Sequence, residues 1–292
     1  MTRPSLFFYK MHGSGNDFIL VDNREAHLSP KSMPVWARAL CKRSFGVGAD
    51  GFIALGPAPE PAEVDYVWHF FNADGSRAEM CGNGSRCAAR LAFELGLAPP
   101  DHVLGTDAGP IKARVLPDKG EVKVQLTPHF GMVLDKPLEL GEHGLVTVHF
   151  VNTGVPHAVV VSDDVASVNV ARLGPAVRFH DTFAPAGANA NFIQIRDRGT
   201  MFLRTYERGV EAETYACGTG AAAAVVVAQK LGLCDREVTV TTSGREELTV
   251  TLEEGSVYLQ GKAVLVYKGE VFPDSVGLGD QLSATNGQGG KQ

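Results

Sequence analysis

The sequence contains few of the features that mark metal-binding, disulfide-bonded or nucleic-acid-binding proteins. Its five cysteines include no Cys-x-x-Cys pair, so neither a zinc site nor a disulfide framework is indicated. It has no run of basic residues and a formal net charge of -6, so nucleic acid and anionic membranes are poor candidate partners. The N-terminal region has neither a long apolar span nor the layout of a signal peptide, and we therefore expect a cytoplasmic protein.

Signatures of common cofactors are also missing. The glycine-rich segment 45–51 lacks the Lys-Ser/Thr ending of a phosphate-binding loop, and no helix pattern follows it. No lysine stands in a context that marks a Schiff base. We therefore expect no pyridoxal phosphate, metal or nucleotide cofactor. With 292 residues and 44% hydrophobic content, the chain is long enough to bury a large core, in one domain or in two.

One cysteine stands in a context that suits chemistry. The apolar, strand-like segment Val64 to Phe71 is followed by a polar turn, by Cys81-Gly82-Asn83-Gly84 and by a series of helix-forming residues, which predicts a helix beginning at Cys81. Unpaired backbone N–H groups and the helix macrodipole favour an anion there, so the turn can lower the pKa of a thiol and bind a carboxylate or phosphate. For a single such motif, a small buried cysteine is the alternative.

The chain contains this pattern a second time, about half its length further on. Strand-like residues and a polar turn precede Cys217-Gly218-Thr219-Gly220, and an Ala- and Val-rich helix follows. The repetition indicates two similar halves, each presenting one thiol at the start of a helix. Two acid/base groups on opposite sides of one carbon are what stereoinversion requires, because one removes a proton while the other delivers one to the opposite face.

Taken together, these motifs resemble those of the diaminopimelate epimerases. The similarity rests on the two cysteine motifs and on the segments Met11 to Phe18, Asn152 to His157 and Tyr206 to Gly209, in the right order between about residues 8 and 270. It implies a reversible epimerisation of LL-2,6-diaminopimelate to meso-diaminopimelate by a thiolate/thiol pair. That reaction belongs to lysine and peptidoglycan precursor biosynthesis, and its partner would be a small amino-acid substrate.

The resemblance also implies roles for individual residues. Cys81 and Cys217 would transfer the protons. His157 would help to set the protonation of a catalytic cysteine. Glu207 would contact an ammonium group or the proton of a partner group. The residues implied to contact the substrate are Asn16, Asn72, Gly82, Asn83, Asn189, Glu207, Arg208, Gly218 and Thr219.

Each of these roles has a structural alternative. Glu207 and Arg208 could instead form an exposed ion pair, and His157 could be a buried histidine with satisfied hydrogen bonds. Two positions depart from some family members, since Gly51 stands where certain members have Gln and Val155 where many have Asn. Neither residue offers a polar side-chain contact to the distal end of the substrate.

The predicted fold is α+β. It consists of two pseudo-symmetric halves, each a bent and mostly antiparallel sheet around a central helix, with the active site in the cleft between them. The N-terminal half spans 1–128 and carries Cys81, and the C-terminal half spans 129–261 and carries Cys217. The resemblance implies that the last strands, at about 262–279, complete the N-terminal half. The tail 280–292 has almost no apolar residues and is expected to be disordered.

Details within the N-terminal half can also be predicted. A loop is expected at 12–17, and a helix from about 34 to 42 is expected to have Ser32 as its cap and Val35, Ala39 and Leu40 facing inward. Cys87 lies six residues beyond Cys81 and therefore off its face of the helix. We assign it to the core, together with Cys41 and Cys234.

Two other functions remain open from the sequence. The first is a proline or hydroxyproline racemase-type enzyme. Such proteins typically carry His where this chain has Asn83, and their cyclic substrate has no distal carboxylate for Arg208. The second is a non-epimerase relative on the same fold, but a mere binder has no need of two thiols at helix ends. A homodimer is compatible with the sequence.

Overall fold

The computed structural model describes residues 4–60 and 62–279. The tail 280–292, for which the sequence predicts disorder, lies outside the described residues. The chain divides into two compact units, one formed by the described parts of Met1–Val124 and Lys262–Gln292, the other by Gln125–Gly261. Within the described ranges, no helix has the length and apolar character needed to cross a membrane.

The first unit begins with a mixed sheet. Its elements, with the helices between the strands, are β1 Leu6–Gly13, β2 Asn16–Asp22, α1 Asn23–Ala26, α2 Met33–Cys41, β3 Gly51–Pro57, β4 Tyr66–Asn72, α3 Gly82–Glu94, β5 Asp101–Thr106, β6 Gly109–Leu116 and β7 Glu121–Gln125. β1 pairs antiparallel with β2, β2 parallel with β3, β3 antiparallel with β4 and β4 parallel with β5. β5, β6 and β7 form an antiparallel meander.

The second unit repeats much of this order. Its elements are β8 Phe130–Glu139, β9 Leu145–Asn152, β10 Pro156–Val161, α4 Val170–Arg178, β11 Asn189–Asp197, β12 Thr200–Glu207, β13 Ala212–Thr214, α5 Gly218–Lys230, β14 Glu237–Thr242, β15 Glu247–Glu253 and β16 Ser256–Lys262. β8 pairs antiparallel with β9, and β9 pairs antiparallel with β10. β10 pairs parallel with β11, β11 antiparallel with β12 and β12 parallel with β14, and β14, β15 and β16 form a meander.

The final strand belongs to the first unit. β17, Val264–Val271, pairs antiparallel with β1, from Leu6 opposite Val271 to His12 opposite Val264. β1 thus lies between β17 and β2, which removes it from the edge of the sheet.

The two thiol helices occupy equivalent places in their units. A parallel strand pair needs a crossover connection, usually a helix, and α3 provides it between β4 and β5 as α5 does between β12 and β14. In both cases the strand before the helix is the second strand of an antiparallel pair. The predicted α+β class with two similar halves is confirmed, and four strand pairs among the described residues are parallel.

Both thiol helices are almost entirely surrounded by protein. α5 is buried from Gly220 to Ala228, a stretch made of Gly, Ala and Val, because small side chains on every face let neighbouring elements approach closely. Cys87 on α3 is fully buried, which confirms its assignment to the core. Burial raises the pKa of Cys87 to about 12, that of Cys41 to about 12 and that of Cys234 to about 11, so these three thiols stay protonated at neutral pH.

Three details of the N-terminal half differ from the expectations. The loop at 12–17 is a two-residue turn, in which Ser14 and Gly15 have φ of 58° and 81°, because β1 and β2 continue almost to the turn. The inward stripe of α2 consists of Met33, Trp36, Ala37 and Leu40 at helical spacing, while Val35 and Ala39 are only partly buried. Ser32 makes no side-chain cap, because its hydroxyl donates to the Ser29 carbonyl instead.

Gly51 lies where no side chain fits. A Cβ there would come within 2.8 Å of Phe70 Cε2 and 3.0 Å of the Phe71 carbonyl oxygen. The Phe18 and Phe70 rings pack edge to face at 5.8 Å beside it and fill the space that a longer residue at this position would need. Their packing accounts for glycine at a position where certain family members have Gln.

We predict that Gly51→Ala destabilises the fold by about 1–3 kcal/mol, because an added methyl group overpacks this site. Gly56→Ala is the matched control on the same strand, since a Cβ there meets nothing within 4 Å. Urea unfolding followed by circular dichroism measures both changes. Equal stability of the two variants would contradict the close packing around Gly51.

Candidate active site

Cys81 caps the N-terminus of α3. Its backbone is extended, with φ of -152° and ψ of 118°, which turns the chain into the helix at Gly82. The sulfur accepts the backbone N–H of Gly84 at 3.5 Å, and its S–H donates to Oδ1 of Asn16 at 3.7 Å. The residue is partly exposed, and a hydrogen-bond donor and an acceptor lie beside its sulfur.

Asn16 is brought to this thiol by the strand register. It begins β2, and its Nδ2 also donates to the Asp50 carboxylate at 2.8 Å. Phe18 pairs with Gly51, and Gly51 pairs with Asn72, so Asn16, Gly51 and Asn72 share one end of the sheet. Asn72 is exposed there, and its Nδ2 donates to Oγ of Ser76 in its own turn at 3.0 Å.

Cys217 occupies the N-cap position of α5 with a similarly extended backbone, but its side chain makes no capping hydrogen bond. Its φ and ψ are -126° and 108°, its residue exposure is 7%, and its sulfur lies 3.6 Å from the hydroxyl of Thr219. The hydroxyl of Thr153 donates to the Thr219 carbonyl at 3.0 Å and ties the first helical turn to the strand region before it. A Cβ on Gly220 would lie 2.6 Å from Oδ1 of Asn191 and 3.3 Å from the Cys217 sulfur, so only glycine fits at this position.

The first turns of α3 and α5 also supply backbone donors. The first N–H groups of any α-helix have no acceptor within the helix. In this chain they belong to Gly82 and Asn83 at one thiol and to Gly218 and Thr219 at the other. They can donate to a carboxylate at the positive end of each helix.

His157 is fully buried and neutral. Its Nδ1 accepts a hydrogen bond from Nδ2 of Asn191 at 3.1 Å, which assigns the ring proton to Nε2. Burial, helped by the charge of Arg208 and opposed by the Asn191 hydrogen bond, lowers the pKa of His157 to about 3. Nε2 is buried without a hydrogen-bond partner among the described residues. The alternative of a histidine with both nitrogens satisfied is therefore wrong.

Glu207 and Arg208 do not form an ion pair with each other. Glu207 accepts a hydrogen bond from the hydroxyl of Thr214 at 2.9 Å, and burial raises its carboxyl pKa although this bond opposes the shift. The backbone N–H of Arg208 donates to Oδ1 of Asn189 at 2.8 Å, and Nδ2 of Asn189 donates to the Pro156 carbonyl at 3.1 Å. Asn189 therefore holds the backbone on which Arg208 stands, and the Arg208 guanidinium has no ion-pair partner within the described ranges.

Several residues of this region were not predicted from the sequence. Asn191 is fully buried and bonds His157, and its Oδ1 accepts the Thr205 hydroxyl at 3.0 Å. The signal for it was a second asparagine two residues after Asn189, on the same face of the strand and beside the apolar residues Phe192 and Ile193. Asp50 and Arg86 were also missed. No group of three or more metal-ligating side chains occurs in the described portion of the chain.

Known proteins resemble this chain over most of its length. A family model described as diaminopimelate epimerase matches residues 8–129 and 149–266. A protein named diaminopimelate epimerase from a Hydrogenobaculum species is 45% identical over 270 residues, covering 89% of this chain and 96% of the relative. A relative of the same name from Methanocella arvoryzae is 40% identical, covering 91% and 97%.

The chain belongs to the diaminopimelate epimerase family. Solved structures with the same fold are more distant in sequence. A probable proline racemase from Agrobacterium radiobacter superposes with a TM-score of 0.68 at 17% identity, covering 96% of this chain and 99% of that one. A hydroxyproline epimerase from Agrobacterium vitis gives 0.68 at 16% identity, covering 97% and 100%. At such identities the likeness shows the fold alone.

We predict that His157 makes the stability of this epimerase-family chain depend on pH. The pKa of His157 is about 3 in the folded chain and about 6.5 when unfolded, so the unfolded state binds more protons between these values. Stability contributed by the neutral ring is therefore complete above about pH 6.5 and is lost as pH falls towards 3. The loss approaches about 1.4 kcal/mol per pH unit in that window.

The measurement compares urea unfolding of the parent chain and of His157→Gln at pH 7 and pH 5. The parent should lose more stability than the variant on acidification. Identical losses would show that His157 is not held neutral in the folded chain.

Proposed function

We propose that this chain catalyses the reversible epimerisation of LL-2,6-diaminopimelate to meso-diaminopimelate, with Cys81 and Cys217 as the two proton carriers. The observation that carries the proposal is that each cysteine caps the equivalent crossover helix of its unit. Membership of the diaminopimelate epimerase family supplies the substrate, since the relatives carry that name.

The chemistry follows from the acidity of the groups involved. The α-hydrogen of an amino acid is a very weak acid, so its removal needs donors already aimed at the carboxylate on which charge develops. One thiolate takes the α-proton and becomes a thiol as the carbon–hydrogen bond breaks. The other thiol gives its proton to the opposite face of the same carbon and becomes a thiolate. Exchange of protons with solvent between turnovers returns each cysteine to its starting form, with no net change in protons.

The backbone N–H groups at the starts of α3 and α5 can stabilise the negative charge that develops on the α-carboxylate. The N–H groups of Gly82 and Asn83, and those of Gly218 and Thr219, have no acceptor in their own helices and would bind the α-carboxylate. A buried site strengthens such hydrogen bonds, because water no longer screens them. The same N–H groups favour the thiolate form of a cap cysteine, which makes it a usable base.

The remaining predicted residues suit the ends of the substrate. Arg208, whose guanidinium has no ion-pair partner within the described ranges, suits a distal carboxylate through its planar fork. Glu207 suits an ammonium group, and Asn16 and Asn72 are further polar contacts at the Cys81 end. Because Asn189 binds the backbone at Arg208, we propose that it acts on the substrate mainly by positioning that arginine.

His157 would act as a neutral group. Its depressed pKa means that it adds no positive charge near the second thiol helix, so it can influence a cysteine only through hydrogen bonding or proton transfer. It stands on β10 and bonds Asn191, whose Oδ1 lies so close to Gly220 of the Cys217 turn that a Cβ there would come within 2.6 Å of it.

The rival reading as a proline racemase-type enzyme has less support. It rests on shared fold at 16–17% identity, whereas the family relatives are 40–45% identical over nine tenths of the chain. A cyclic amino acid would also leave Arg208 without a carboxylate to bind. Because both proton transfers need free thiols, we propose that the enzyme acts in the reducing cytoplasm. Its assembly as a homodimer stays a prediction.

We predict that Cys81→Ala and Cys217→Ala each abolish conversion of LL- to meso-diaminopimelate, because each removes the proton carrier of one face. Chromatographic separation of the two epimers measures the rate. Cys87→Ala is the matched control on α3, and it should keep turnover within a few-fold because Cys87 is a fully buried core residue. A folded Cys87→Ala variant as inactive as Cys81→Ala would contradict the assignment.

A further inference from the structure

A line of four side chains runs past the Cys81 thiol. Nη2 of Arg86 donates to Oδ1 of Asn83 at 2.8 Å, Nδ2 of Asn83 donates to Oδ1 of Asn16 at 3.4 Å, and Nδ2 of Asn16 donates to the Asp50 carboxylate at 2.8 Å. Arg86 is fully buried on α3, and Asp50 precedes β3. The line therefore ties the thiol helix to the loop before β3.

Each end of this line can take only one role in a hydrogen bond. A guanidinium group is a donor only, and an ionised carboxylate is an acceptor only. An asparagine amide between them could otherwise rotate by half a turn and exchange its oxygen and nitrogen. Arg86 requires the oxygen of Asn83 to face it, and Asp50 requires the NH₂ group of Asn16 to face it.

We propose that Asp50 and Arg86 are positioning residues that lock the amides of Asn16 and Asn83 so that a carbonyl oxygen, and not an NH₂ group, faces the Cys81 sulfur. This deepens the proposed function, on whose assignment of Cys81 it rests. The locked oxygen is Oδ1 of Asn16, which lies 3.7 Å from the sulfur.

The consequence is that Cys81 has a partner in both of its working forms. As a thiol, it donates its S–H to Asn16 Oδ1. As a thiolate, it is favoured by the Gly84 N–H at 3.5 Å and by the helix N-terminus. A flipped Asn16 amide would place N–H donors against the sulfur instead of this acceptor, which would favour the thiolate over the thiol. A reversible two-base reaction uses the cysteine as an acid in one direction and as a base in the other.

Other charged and titratable groups of the first unit lie around this line. Lys10 on β1 pairs with Asp17 on β2 at 2.6 Å, and Arg43 after α2 lies 3.5 Å from Asp17 and 3.4 Å from Asp50. His12 on β1 accepts the Gly15 N–H at 3.4 Å in the turn before Asn16. α3 itself carries Arg86 and, nearer its C-terminus, Arg90, which pairs with Glu94 at 2.8 Å.

The experiment measures the alkylation of Cys81 without substrate. In the full chain carrying Cys217→Ala, the rate of iodoacetamide modification is followed against pH by mass spectrometry of the Cys81 peptide. Cys41, Cys87 and Cys234 are buried and protonated and should not react. Adding Asp50→Asn, which lets the Asn16 amide turn, should lower the midpoint of the profile by about one pH unit. Asp50→Glu keeps an acceptor-only group and should retain the parental midpoint.

Asp50→Asn also removes a negative charge, which by itself lowers the midpoint of the Cys81 alkylation profile. Two controls separate this charge effect from the effect of the lost hydrogen bond. At about 0.5 M KCl the screening length falls to about 4 Å, which suppresses the direct charge effect but not a hydrogen bond. Asp17→Asn removes the same charge one residue from Asn16 while leaving the bond between Asn16 and Asp50 in place.

The proposal requires a larger downward shift for Asp50→Asn than for Asp17→Asn, with Asp50→Glu unshifted. Equal shifts for the two Asn variants, no shift for Asp50→Asn, or a shift for Asp50→Glu as large as that for Asp50→Asn would each overturn it. Because no substrate is present, these outcomes are independent of whether the chain epimerises diaminopimelate. Failure of the proposed function would instead appear as absence of turnover in the parent chain.

Discussion

Each unit depends on one local arrangement, in which a cysteine caps a buried helix that crosses between two parallel strands. The cysteine lies in extended backbone, and the glycine after it begins the helix. The first N–H groups of the helix have no acceptor within the helix and keep their capacity to bind an anion. The placement of the thiol and the preparation of the carboxylate site thus follow from the same turn.

The two units differ in the polar side chains that they bury at the starts of these helices. α5 is built from Gly, Ala and Val, so its first turns bring few polar side chains into the core. α3 instead carries a fully buried arginine, Arg86, whose guanidinium binds the hydroxyl of Ser14 at 2.8 Å and backbone carbonyls at Gly82 and Lys262. A buried cation without such partners would cost several kcal/mol. Arg86 therefore depends on the Ser14 turn and on the return of the chain at Lys262.

Much of the fold was predictable because it is encoded locally. The two Cys-Gly-x-Gly motifs predicted both thiol helices, whose starts at Gly82 and Gly218 the structure confirms, and alternating residues predicted most strands. β8 was missed because it carries a proline and a positive-φ Asp135, and Leu138 is its only buried residue. Of the residues assigned to the inward face of α2, Leu40 is buried, whereas Val35 and Ala39 are only partly buried although they are as apolar as the residues that face the core.

The parts of the site that escaped prediction depend on contacts between distant residues. Asp50 reaches Asn16 only because β2 and β3 pair in parallel with Phe18 opposite Gly51. Asn191 reaches His157 through the parallel pairing of β10 with β11, which sets His157 opposite Asn189. No local sequence pattern predicts such a register. Asp50 and Asn191 are ordinary polar residues when each is considered alone.

The central claim is that two thiols carry protons on opposite faces of one carbon, and the origin of the hydrogen in the product tests it most directly. LL-diaminopimelate is converted in D₂O, and deuterium at the α-carbon is measured by mass spectrometry in both epimers at low conversion. The two-base account predicts deuterium in nearly all of the meso product and almost none in the recovered LL substrate, because the incoming hydron comes from the second, solvent-equilibrated thiol. Substantial transfer of the original hydrogen into the product would contradict it, since that requires a single group serving both faces.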